Sequence, residues 1–173
     1  MTSNVGINIG VSGHQNRAGI DWKWVAAALR AEIVKSEKIA KAFSSLAVGS
    51  DQVFADVAVS LGIAVVAVLP LEGYERYFDG ENLANYRRLL GRSQRIQLKW
   101  SGDPERAFFE AGKYVVEKSD ILFAIWDGEP SDGLGGTADI VAYAEKSSRK
   151  IIQIDPVKRQ VRRGIAEIRR PDV

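Results

Sequence analysis

Residues 121–144, ILFAIWDGEPSDGLGGTADIVAYA, constrain the fold more than any other stretch. The first six, ILFAIW, form a short run of branched and aromatic residues, the composition of a buried strand. An acidic, glycine-rich loop follows over residues 127–136. Ile140, Val141 and Ala144 then fall at helical spacing. A strand, a glycine loop and a helix in this order place free backbone N–H groups and a helix amino end at the carboxyl edge of a parallel sheet. An anion, usually a phosphate, is most easily held there.

The rest of the chain repeats this alternation. Residues 5–11 (VGINIGV) alternate apolar with small or polar residues and predict a first strand running into Ser12, Gly13 and His14. A helix is expected over 21–41, with Asp21 as its cap and Trp24, Val25, Ala28, Leu29, Ile33 and Ile39 on its apolar face. Residues 44–48 predict a short second strand, and Gly49, Ser50 and Asp51 turn it into a helix over 52–61. The near-continuous apolar run 63–69 is the pattern of a strand covered on both faces, hence parallel and central. A helix over 81–90, a strand over 95–100, a helix opened by Asp103 and Pro104, and a sixth strand over 150–154 complete the pattern. The expectation is an α/β protein: a three-layer, Rossmann-like, doubly wound sheet, mainly parallel, of about six strands. Residues 1–156 are expected to form one domain. Residues 157–173 are read as a basic tail of short helix and coil.

Bulk properties narrow the classes. A chain of 173 residues with 46% apolar and 27% charged residues is an ordinary globular composition. No Cys and a single His exclude a disulfide framework and any site built on several Cys or His. No apolar run nears the roughly 18–20 residues of a membrane span, and no secretory leader stands out. A cytoplasmic location with no membrane partner is expected. The net charge of +2 is too small to imply nucleic acid. Lys158, Arg159, Arg162, Arg163, Arg169 and Arg170 nevertheless crowd the carboxyl-terminal end.

Ligands of such sheets sit beyond the carboxyl ends of the strands. That rule selects the candidates. Gly10, Ser12, Gly13 and His14 lack the third glycine of a dinucleotide fingerprint, yet still allow close approach to a phosphate. Gly49, Ser50 and Asp51 suit either plain helix capping or, through Asp51, sugar hydroxyls. Pro70 closes the third strand. Arg76 beyond it suits bidentate phosphate recognition, and Tyr74, Tyr77 and Phe78 suit either base stacking or core packing. Trp126 and Asp127 end the fifth strand. Gly135, Gly136 and Thr137 are the most specific signal: two glycines and a hydroxyl opening a helix. Asp127 and Asp132 beside them would repel a bare phosphate, so the mixture suits a nucleotide better. No resident cofactor or metal follows from the residues, although the loop carboxylates could hold magnesium alongside a polyphosphate.

Taken together, Gly10 to His14, the GSDQVFA segment from Gly49, Val68 to Pro70, Ser119 to Gly128 and Gly135 to Thr137 resemble the SLOG superfamily. That Rossmann-like group includes LOG phosphoribohydrolases, DNA-processing proteins of the DprA type and ligand-sensing domains of bacterial defence proteins. Residues 127–144 also look like the nucleoside 2-deoxyribosyltransferases. The resemblance implies a bacterial, nucleotide-binding, dimeric protein, with the long first helix as an interface. In both enzyme groups a catalytic Glu stands three residues after the Thr of the glycine motif. Here that position is Ile140, and the nearest carboxylate, Asp139, comes one residue early. One helical step turns a side chain by about 100°.

The leading expectation is a module that binds a nucleotide or nucleotide-derived signal, such as an ADP-ribose, NAD or cyclic-nucleotide type molecule. Gly135, Gly136 and Thr137 would hold phosphate, with Ser12, Gly13 and His14 opposite and Asp51 or Asp127 on the ribose. The alternative is a hydrolase or transferase acting at an N-glycosidic bond, with Asp139 or Asp127 as the catalytic carboxylate. A third reading, single-stranded nucleic acid bound by the tail, is the one the charge least favours.

Overall fold

The structure is a computed structural model that describes residues 5–131 and 133–164. Among the described residues, seven strands form one sheet: β1 (Ile7–Gly13), β2 (Ile39–Ser44), β3 (Ala64–Leu69), β4 (Gln94–Gln97), β5 (Ile121–Ile125), β6 (Lys150–Asp155) and β7 (Gln160–Arg163). Their order is β4-β3-β2-β1-β5-β6-β7. Every neighbouring pair is parallel except β6 with β7. The helices are α1 (Trp22–Lys35), α2 (Ser50–Ser60), α3 (Gly80–Leu90), α4 (Pro104–Lys118) and α5 (Thr137–Lys146). This is the expected Rossmann-like three-layer fold, with a seventh strand.

Strand periodicity divides the core in two. Val65 and Ala67 of β3 face one side, with Ile9, Val11, Phe123 and Ile125. There they meet Val25 and Leu29 of α1, Phe54 and Ala58 of α2, and Leu89 of α3. Val66 and Val68 face the other side with Leu122 and Ala124, against Val115 and Val116 of α4 and Ile140, Val141 and Ala144 of α5. Side chains alternate across a strand, so a continuous apolar run is the signature of a sheet with two covers. Each fully buried aliphatic side chain adds about 1.5–3 kcal/mol to the fold.

The first helix ends earlier than its apolar spacing predicts. Ser36 stops α1: its N–H donates to the Ile33 carbonyl and its hydroxyl to the Glu32 carbonyl. Ile39 therefore lies in β2, not on the helix, and β2 begins five residues before the expected strand. Residues 45–47 are irregular instead, and there Leu46 is fully buried at a positive φ of 56°.

A second correction concerns the basic end. Residues 160–163 form a strand, not a helix. Val161 pairs with Ile154, and the Arg163 guanidinium holds Glu32 of α1 across 131 residues, with Nε donating to Oε2 at 3.0 Å. Glu32 is 6% exposed. Burial pushes its carboxyl up, but Arg163 and Lys35 outweigh that and hold it below the usual value. Arg169, Arg170 and Asp132 lie outside the described residues.

The strand order fixes where a site belongs. From β1 the chain builds outward through β2, β3 and β4. Then α4 carries it back, and β5 adds to the other side of β1. The segments after β1 and β5 leave the sheet toward opposite faces, and a crevice opens between them.

Candidate functional site

A cavity of about 490 Å³ occupies this crevice. Ser12, Gly13 and His14 line it from β1, and Gly135, Gly136 and Thr137 line it from the start of α5.

The β1 wall is set by close backbone approach. A Cβ on Gly13 would overlap the Ser50 side chain and Ile125. Glycine therefore lets the end of β1 slide under the amino end of α2. The His14 N–H continues the ladder to the Ile125 carbonyl at 3.0 Å. The His14 carbonyl accepts from both the Ser50 N–H, at 3.1 Å, and the Ser50 hydroxyl, at 2.7 Å. Gly49 sits at φ 84°, and a Cβ there would overlap the Gln15 carbonyl. The amino end of α2 is thus closed by the protein's own carbonyl group. Gly49 and Ser50 brace the loop and do not line the cavity.

The amino end of α5 is open by contrast. Its cap residue, Gly136, has no side chain to satisfy the helix. The backbone N–H groups of Gly136, Thr137 and Ala138 make no hydrogen bond to a described residue. Such orphan donors at a helix start, with the positive end of the helix dipole, favour an anion. The Ser131 hydroxyl packs on Gly136 and is buried without a partner among the described residues. Gly135, at φ 84°, rests on Phe109 of α4, and its N–H donates to the Asp139 carboxylate at 3.0 Å. One expected phosphate donor is therefore already committed, and Asp139 with it. Ile140 is 2% exposed and packs on Gly112, where no Cβ would fit.

Pro70, Tyr74, Tyr77, Phe78 and Phe108 also line the cavity. The rings pack edge to face, Tyr77 on Phe108 at 5.2 Å and Tyr74 on Phe78 at 5.0 Å between centroids. Tyr77 remains 42% exposed. Asp51 lines the same end. Its carboxylate accepts from the Ser44 hydroxyl at 3.1 Å and the Ser45 N–H at 3.0 Å, so it ties α2 to the end of β2 and does not cap its own helix. Burial pushes this carboxyl up to about 6, against the pull of the Ser44 hydroxyl and the Ser45 and Ala47 N–H groups. Burial, with Asp51 nearby, also pushes the Tyr74 phenol well above its usual range.

His14, Asp127 and Arg17 form a chain at the rim. His14 Nε2 lies 3.0 Å from Asp127 Oδ1, and Arg17 lies 2.7 Å from Oδ2. The Glu129 N–H donates to the same carboxylate at 3.1 Å. Burial raises the Asp127 carboxyl, and the Glu129 N–H, His14 and Arg17 together overcome it and hold it below the usual value. His14 faces the main cavity. Asp127 does not line it.

Of the other candidates, Trp126 lines the cavity and donates its indole N–H to the Glu129 carbonyl at 2.7 Å. Gly10 lies deeper, where a Cβ would overlap Ser119 and Val115 of α4, and does not reach the cavity. Arg76 lies outside the lining, over the exposed Tyr77 ring at 5.4 Å. The sequence reading missed Arg17, Phe108 and Ala138 as lining residues. Phe108 carries no local signal, because its apolar position on α4 is also what packing requires. Ala138 was legible: it is the second residue of a helix already identified as an anion site.

A mainly parallel sheet, covered on both faces and opened at the β1–β5 crossover, defines a Rossmann-like α/β protein. No family model matches the chain, and no curated protein matches it in sequence. Among solved structures it is similar to DNA processing protein A (DprA) from Streptococcus pneumoniae, with a TM-score of 0.61 at 17% identity. The match covers 86% of this chain and 50% of that one, so the chain spans about half the length of DprA. At that identity the likeness is one of fold. No helix among the described residues is long and apolar enough to cross a membrane.

Proposed function

We propose that this protein binds a nucleotide or a nucleotide-derived signal molecule in the β1–β5 crevice. The phosphate lies at the amino end of α5, and the base or ribose lies toward Asp51 and the aromatic wall. One observation carries the reading: orphan donors of α5 face the β1 turn across a single cavity of about 490 Å³. Anion donors and aromatic surface lining one cavity match the two halves of a nucleotide.

Binding is favoured over N-glycosidic cleavage by the two carboxylates that cleavage would use. Asp139 is held by the Gly135 N–H. Asp127 is held by His14, Arg17 and the Glu129 N–H, outside the main cavity.

The test is thermal shift against AMP, cyclic AMP, ADP-ribose, NAD and deoxynucleosides, with chromatography for released base. Stabilisation without base release is the expected result. Base release that disappears in Asp139→Asn would establish the enzyme instead. Ala138→Asp supplies the control. A carboxylate in the first turn of a helix stabilises it by about 0.3–1 kcal/mol, yet here it would occupy the anion's place. The variant should keep or raise the melting temperature and lose the ligand shift. An undiminished shift would place the phosphate elsewhere.

A further inference from the structure

We infer that the base of the ligand is guanine, read by the Asp51 carboxylate through the two adjacent donors of its Watson–Crick edge, N1–H and the N2 amino group. The inference rests on the nucleotide reading above. Placement comes first. α2 covers one face of the sheet and α5 the other, and β1 lies between β2 and β5. A ligand with its phosphate at the amino end of α5 therefore crosses the end of β1 before it meets Asp51. The ribose, joined directly to the phosphate, falls over Ser12, Gly13 and His14. What reaches Asp51 is the base. The surroundings of Asp51 fit that assignment. Pro70, Tyr74 and Phe78 line the same cavity, and both rings pack in the same layer as α2.

The carboxylate is held in place and has capacity left. Its bonds from the Ser44 hydroxyl and the Ser45 N–H both end on Oδ2. The Ala47 N–H adds the weakest pull of the three. An ionised carboxylate can accept about four hydrogen bonds. Burial pushes this carboxyl up to about 6 in spite of its donors, so they do not repay its desolvation. Above that value it is an ionised group that only accepts and is short of partners. Enzymes that take in a single base read it by hydrogen bonds to its Watson–Crick edge and by aromatic packing on its faces. Among the common bases only guanine sets two donors side by side on that edge. Adenine offers one amino group beside the N1 lone pair, and cytosine does the same with N3. Uracil flanks its one N–H with two carbonyl oxygens. Each of these turns an acceptor against the carboxylate. A site built to hydrogen-bond a group rejects an analogue lacking it far more strongly than an apolar pocket rejects a missing methylene.

Calorimetric titration of the full chain with GMP, IMP and AMP at about pH 7.5, where the carboxylate is ionised, tests this, alongside Asp51→Asn. In the variant the Ser45 N–H holds the amide oxygen, so the NH2 group takes the place of Oδ1 and presents donors where the wild type presents an acceptor. The wild type should bind GMP about tenfold or more tighter than AMP, equivalent to about 1.4 kcal/mol. IMP, which keeps N1–H and lacks the amino group, should fall between them. In Asp51→Asn the advantage of GMP over AMP should shrink below about twofold or reverse. A role confined to tying α2 to β2 would leave that ratio where it was. If the wild type binds AMP as tightly as GMP, the inference is overturned and the nucleotide reading stands. IMP binding as tightly as GMP removes the two-donor contact and overturns it equally. So does a GMP preference that survives Asp51→Asn, and an equal loss for all three nucleotides there would assign Asp51 to the ribose. If none of the nucleotides binds, the nucleotide reading falls and takes this inference with it.

Discussion

Asp51 shows how one residue sets a pH dependence. Its carboxyl is buried and titrates at about 6 in the folded protein, against 3.8 when exposed. A raised value means that the folded state holds the proton more tightly. The contribution is therefore fully present below about pH 4 and lost as the pH rises through about 6. The interval corresponds to about 3 kcal/mol. Asp51→Asn should remove this slope. Urea denaturation should show the variant gaining about 2–3 kcal/mol on the wild type between pH 4 and pH 8. Parallel curves would show that folding leaves the Asp51 carboxyl unshifted. Gly49 makes a separate case at the same scale. Its φ of 84° and the Gln15 carbonyl against it leave no place for a side chain. Gly49→Ala should cost about 3 kcal/mol by the same measurement, since backbone strain of about 1–3 kcal/mol adds to a steric overlap. The sequence marked both residues as special but not why. Asp51 read as a cap or a sugar ligand; its hydrogen-bond partners are Ser44, at the end of β2, and Ser45 just beyond it.

At the scale of elements, two helix starts that look alike in sequence differ in use. Both α2 and α5 open on glycine followed by a hydroxyl residue. At α2 the His14 carbonyl fills the position an anion would take; at α5 nothing described does. Sequence alone could not separate them, because the discriminating group lies 36 residues before Ser50. Element boundaries failed where local preference and tertiary structure disagree. Lys38, Ala40 and Lys41 read as helix formers, and Ile39 continued the apolar spacing of α1, yet β2 completes the sheet there. The last strand was missed because QVRR has a single apolar residue, and its order depends on contacts with β6 and α1. This makes Arg163 the element's anchor. Arg163→Met keeps the length of the side chain and leaves Glu32 without its guanidinium. Stability should fall by about 1–3 kcal/mol near neutral pH. The loss should shrink as the pH falls, since the lowered Glu32 carboxyl contributes only while it is ionised. An equal loss at low pH would show that packing of β7, not the ion pair, is what Arg163 supplies.

The whole molecule was more legible than its parts. Apolar runs such as AVVAVL and ILFAI have few destinations other than a doubly covered parallel sheet, so layer architecture follows from composition and length alone. The candidate cavity was legible for a related reason: in such sheets, topology fixes the position of the crevice whatever the side chains are. A second cavity, lined in part by Glu129, Val157 and Lys158, was not legible, since its lining joins the loop after β5 to the turn between β6 and β7.

The crossover also has a consequence for how the polypeptide is made. The strand at the centre of the sheet, β1, is synthesised first, but its second neighbour arrives more than a hundred residues later. Until then a nascent chain exposes an unsatisfied apolar border, the kind of surface that recruits other chains. Fragments ending at Lys118 should therefore precipitate or depend on a chaperone during translation, whereas fragments ending at Gly164 should remain in the supernatant after centrifugation. Equal recovery of the two would mean that the first four strands protect themselves without the fifth.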